Sequence, residues 1–129
     1  MHDPTTSTRG KGQGHLDHFG LGLAGLCAVH CVLTIVLVSA LGFGSHFLLA
    51  PEIHRIGFAL AMIVAAVAIG RGALIHRRAM PFVVAMMGLT FMGGALAMPH
   101  GNGELMLTLI GIVLVSAGHL LNLHAAYTR

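Results

Sequence analysis

The sequence predicts an all-α membrane protein: four transmembrane helices in an antiparallel up-down bundle, with both termini cytoplasmic. Three observations predict it. First, 56% of the 129 residues are hydrophobic and only 9% are charged, where an ordinary soluble domain carries about 25% charged residues. Second, the apolar residues fall into four runs parted by short polar breaks. Third, Lys and Arg are unevenly shared between alternate breaks, the bias that orients membrane helices.

In chain order, residues 1–18, MHDPTTSTRGKGQGHLDH, are polar and rich in Gly, Ser and Thr, as expected of a mobile cytoplasmic tail. The membrane domain then occupies residues 19–123. Its first span, 19–41, contains no Asp, Glu, Lys or Arg and would make about 34 Å of helix, enough to cross a hydrocarbon core. It is too long for the apolar core of a cleavable leader, although Val38–Ala40 would suit a cleavage site. GFGSHFLLAPE, from Gly42, breaks the run. The second span is expected at 56–75, with Arg71 snorkelling to the interface. A basic connection containing Arg77 and Arg78 leads to the third span, 80–98, with Pro81 in its first turn. PHGNGE, Pro99 to Glu104, is a turn rich in helix breakers. The fourth span is expected at 105–123, and 124–129 form a short cytoplasmic end. Inside uniformly apolar runs the helical and strand periods do not separate, so length is the argument for helix.

Arg9, Lys11, Arg71, Arg77, Arg78 and Arg129 fall on one side of such a bundle and only Arg55 on the other. The richer side, holding both termini, is cytoplasmic by the positive-inside rule. The basic residues make no continuous face, so despite a pI near 9.5 no nucleic-acid partner is expected; the lipid bilayer is the partner. There is no phosphate-binding loop and no Ser/His/Asp set, so neither ATP-driven pumping nor an enzyme is expected.

Chemistry concentrates in LCAVHC, Leu26 to Cys31, near the middle of the first span. On a helix Cys27, His30 and Cys31 point to one side. Gly20, Ala24, Cys27, Cys31, Thr34 and Val38 follow a 4-3-4-3-4 spacing, a small-residue stripe of the kind on which membrane helices approach closely. Counted from Phe19, the two cysteines lie about 12 and 18 Å into the membrane, the depth at which transporter sites sit. Cysteines there often only pack, but an imidazole at that depth costs free energy without a partner or a task. A disulfide is geometrically poor, because residues four apart on a helix have Cβ atoms about 5–6 Å apart and a disulfide wants about 3.5–4.5 Å. Two thiolates sharing a soft metal ion fit the longer spacing. Loss of both thiol protons to a divalent ion leaves a nearly neutral site. His30 would accept a proton or act as a third ligand.

His119, one turn from Asn122 near the end of the fourth span, reads either as an exit relay for metal or protons or as a histidine hydrogen-bonded to Ser116, a carbonyl or water. The metal set is therefore Cys27, Cys31, His30 and His119. His15 and His18 share the membrane edge of His119; His46, His54 and His100 share the outer side with Glu52 and Glu104, where they would gather cations weakly. The methionines of the third span, Met80, Met86, Met87, Met92 and Met98, read as flexible core filling.

LCAVHC after a segment bearing Asp17, a basic middle loop, and a last span ending in GHLLNLH together resemble the MerC family of mercury-resistance membrane proteins, over about residues 15–125. The resemblance implies a multi-pass protein of the bacterial inner membrane that carries mercuric ion inward, with Cys27 and Cys31 as its relay. The pair here is Cys-x-x-His-Cys, one residue wider than the Cys-x-x-Cys of resistance-operon members, and no second pair precedes Arg129, a pattern similar to the shorter MerC-domain branch. Cytoplasmic thiols or a mercuric reductase would receive the ion. No permanently bound cofactor is expected, since the metal is cargo. Rival readings are a membrane thiol/disulfide oxidoreductase using the same pair, a haem-binding bundle using His30 and His119, and a purely structural protein.

Overall fold

The computed structural model describes residues 4–41 and 50–128. Four helices follow one another: α1 Pro4–Leu41, α2 Pro51–His76, α3 Met80–Leu96 and α4 Asn102–Tyr127. No strand occurs among the described residues. Gly14–Leu37, Pro51–His76 and Asn102–Tyr127 are each long and apolar enough to cross a membrane. At 17 residues α3 is shorter, about 26 Å, which is the lower limit for a span.

The boundaries differ from the expected ones for a common reason. α1 runs from Pro4, so the expected tail is helical over residues 4–18. α2 starts at Pro51 rather than near residue 56, and α4 extends from Asn102 to Tyr127 rather than over 105–123. Composition changes where the solvent changes, whereas a helix continues as long as its backbone hydrogen bonds do. Local signals set the actual ends. Pro51 sits in the first turn of α2, where its missing N–H is no loss. Arg77 caps α2 in the left-handed conformation (φ 54°), and Pro81 opens α3. The break at residues 42–49, including His46, lies outside the described residues.

Neighbouring helices are antiparallel, as residue pairs demonstrate. Cys27 faces Gly57 while His30 meets His54, so positions rise on α1 as they fall on α2. On α3 and α4, Gly88 approaches Gly111 and Val115, while Ala85 approaches Gly118. Gly20 lies under His119, and Gly14 lies near Leu123 and Tyr127, which sets α1 against α4. The α3–α4 contact is the most extensive, and α2 also touches α4 across the bundle. At Gly88, Gly111 and Gly118 a Cβ would strike the partner helix's backbone or side chains. Only glycine permits that approach.

The helix contacts are lined by many small residues beside a few large ones such as Ile69, Leu89 and Ile112, and much of the large apolar surface faces outward. Ala24, Ala61, Ala65, Ala68, Ala85 and Ala95 are buried, while Leu26, Val29, Val36, Ile63 and Leu74 face outward. Water would penalise so large an exposed apolar surface. In a bilayer the outward Leu, Ile and Val meet lipid tails, and close contact of small residues holds the helices together.

Candidate functional site

The inner face of α1 carries Asp17, Gly20, Ala24, Cys31 and Thr34 as buried residues, with Cys27 half-buried among them. Both cysteines are free thiols. The Cys27 Sγ points at α2, 4.0 Å from where a Cβ would stand on Gly57. A cleft of about 420 Å³ between α1 and α2 is lined by Cys27, His30, Cys31 and His54, with Ile53, Phe58 and Met92 among its apolar walls. The rings of His30 and His54 meet edge to face, their centres 5.6 Å apart. Thr34 donates its hydroxyl proton to the His30 carbonyl oxygen (2.8 Å). Among the described residues no three His, Cys, Asp or Glu side chains are grouped as a ready-made metal site. The thiols and imidazoles line one space without converging on one point.

A second cluster occupies the opposite end of the bundle. Asp17 and Asn122 are fully buried and His119 is 1% exposed. His119 Nδ1–H donates to Asp17 Oδ1 (2.8 Å). Asn122 Nδ2 donates to Asp17 Oδ2 (2.8 Å) and to the Ala68 carbonyl oxygen (3.3 Å). His76 Nε2–H donates to Asn122 Oδ1 (2.9 Å), and its Nδ1 accepts the Arg78 backbone N–H (3.1 Å). The backbone contact places the His76 proton on Nε2. Three helices are thereby tied together, and both carboxylate oxygens have a donor, as a carboxylate away from water requires.

His119 therefore lies apart from Cys27, His30 and Cys31. Its ring covers Gly20, where a Cβ would collide with it. Gly20 stands two helical turns from Cys27, about 10 Å along α1. A narrow, mostly apolar cavity lined by Gly20, Ala24 and Val115 has His119 at one end and Cys27 in its wall.

Three polar residues take places that reading by composition missed. Asp17 was expected in the tail, His76 in the basic connection and His54 in an outer loop. Spacing carries a signal for each. Asp17 precedes Gly20 by three and so extends the α1 stripe. On α2, Gly57, Ala61, Ala65, Ala68 and Gly72 form a 4-4-3-4 stripe with His54 three residues before it and His76 four after.

A family model described as MerC mercury resistance protein matches residues 17–124, from the buried Asp17 to the last turns of α4. No curated protein and no solved structure is detectably similar. The matched stretch contains the thiol cleft, the buried network, α2 and α3 entire and most of α1 and α4, with their outward belt of Leu, Ile and Val. The chain is thus a membrane protein that belongs to the MerC family of mercury resistance proteins.

Proposed function

We propose that the chain carries mercuric ion, or a related soft metal ion, inward across the bacterial inner membrane by ligand exchange at Cys27 and Cys31. The observation that supports this best is two free thiols on one helix face, opening into a common cleft, in a chain of the MerC family. Both termini are read as cytoplasmic, so the cleft, whose lining includes Ile53 and His54 early in α2 and Thr108 early in α4, lies in the periplasmic half of the bundle. There the exposed His100 donates to Glu104 Oε2 (2.7 Å).

The exchange balances simply. A mercuric ion arrives with two ligands; each cysteine sulfur forms a bond to the metal, each thiol proton leaves with a displaced ligand, and no electrons move. The product is neutral, so it carries no net charge into a low-dielectric interior. His30 assists by taking a proton in transit or by adding a weaker bond. His119, held by Asp17, presents the other side of its ring to the narrow cavity that also touches Cys27, and stands between that site and the cytoplasm. Cytoplasmic low-molecular-weight thiols, or a mercuric reductase, then take the ion by the same exchange run in reverse.

Uptake of labelled mercuric ion is the test. Cells expressing the chain without a reductase should accumulate the ion, and a Cys27→Ser/Cys31→Ser version should fall to the level of empty cells. Equal accumulation in both would remove the thiols from the transport path.

A further inference from the structure

The cleft that holds the two thiols has a polar group on its other wall which the transport reading leaves without a task. His54 lies in the second turn of α2, half-buried, and its Nδ1 is buried without a hydrogen-bond partner among the described residues. A buried polar nitrogen in that state costs free energy. Its position is set by the antiparallel register: with Cys27 opposite Gly57 and His30 against His54, the level of His54 on α2 is that of His30 and Cys31 on α1. Gly57, one turn further along, has no side chain to stand between the helices and the Cys27 sulfur.

We propose that His54 is a metal ligand supplied across the cleft by the second helix. Together with Cys27 and Cys31 it would form a two-sulfur, one-nitrogen site, which His30 can raise to four ligands. This rests on the reading that the two cysteines bind metal, and it extends the substrate class. Two thiolates alone suit ions content with two ligands. Two sulfurs and one or two imidazoles suit the tetrahedral borderline ions zinc and cadmium. In the empty cleft the donor atoms do not converge, so binding would draw the Cys and His side chains together by rotation about their own bonds. Each bound divalent ion releases two thiol protons to solvent and accepts a lone pair from neutral His54, leaving the site neutral.

The test uses the full chain purified in detergent micelles and titrated separately with cadmium and mercuric ions, following sulfur-to-metal charge-transfer absorption. The wild type is expected to bind both. His54→Ala should weaken cadmium binding by at least about tenfold, since even an outer partner of a ligand is worth that much, while mercuric binding is retained. His54→Cys should restore cadmium binding with a stronger charge-transfer band, because a third sulfur joins the ion; a histidine needed only for packing would not be replaced in this way. Cadmium affinity unchanged in His54→Ala, or a wild type that binds mercuric ion but no cadmium, would overturn the proposal while leaving the thiol pair standing. Mercuric binding that survives Cys27→Ser/Cys31→Ser would instead overturn the thiol reading, and this proposal with it.

Discussion

His119 Nδ1 and Asp17 Oδ1 lie 2.8 Å apart across 102 positions of sequence, and both side chains are buried. This contact locks the first helix to the last at the end of the bundle away from the thiols. Removing one member strands the other. Asp17→Ala leaves the His119 donor facing nothing and Asn122 Nδ2 with only its longer bond to the Ala68 carbonyl oxygen, and breaking a buried pair of this kind costs about 3–5 kcal/mol. Asp17→Asn keeps an oxygen acceptor and should lose less, about 1–3 kcal/mol. Thermal unfolding of the purified variants in detergent should rank them wild type, Asn, Ala. A wild-type midpoint for Asp17→Ala would show that the network contributes nothing to stability.

The other anchor of the network depends on a glycine. A Cβ on Gly72 would collide with the Asn122 amide, whereas one on Gly70, two residues earlier, would meet nothing within 4 Å. Gly72→Ala should therefore destabilise the fold by about 1–3 kcal/mol, the usual range for overpacking. Gly70→Ala should stay within about 0.5 kcal/mol of wild type. The same unfolding measurement separates them, and equal midpoints would mean that Asn122 can move aside without loss.

The fold class and the thiol face were legible because they depend on composition and on the 3.6-residue period, both of which are local. Cys27, His30 and Cys31 had to share a side of any helix that contained them. Asp17 was not legible in the same way. Its neighbours Gly14, His15 and His18 are polar or small, and composition marks the change from water to lipid rather than the end of a helix. Its burial comes from α4, whose His119 and Asn122 surround it. His54 likewise gains its place from the pairing of α2 with α1. The stripe bounded by His54 and His76 shows which face of α2 is inward, but not that His54 would arrive opposite a thiol cleft while His76 met Asn122. Those outcomes are set by the antiparallel register, which close glycine contacts fix in three dimensions.

The proposed orientation in the membrane rests on six basic residues against one, and it decides whether the proposed transport runs inward or outward. In a Cys27→Ser/Cys31→Ser background, single cysteines at the exposed positions Pro99 and Thr128 report the two sides. A membrane-impermeant maleimide added to intact spheroplasts should label Pro99→Cys, and should label Thr128→Cys only after lysis. The reverse pattern would place the cleft in the cytoplasmic half of the bundle and turn the proposed direction of transport around.

The two thiols also separate carrier from oxidoreductase. One turn apart on a helix, they hold their Cβ atoms about 5–6 Å from each other, beyond the roughly 3.5–4.5 Å of a relaxed disulfide. Closing that bond would bend α1 where it faces Gly57 of α2. Mild oxidation of membranes should therefore leave both cysteines open to alkylation after denaturation, counted by mass. Prior loading with mercuric ion should protect both from alkylation under native conditions, and protection should be lost in either single Cys→Ser variant. A rapidly formed Cys27–Cys31 disulfide, reversed by a quinone or dithiol, would argue for electron transfer at this pair. Protection that persists with one thiol would show that a single sulfur suffices to hold the ion, its second ligand coming from a histidine or from solution.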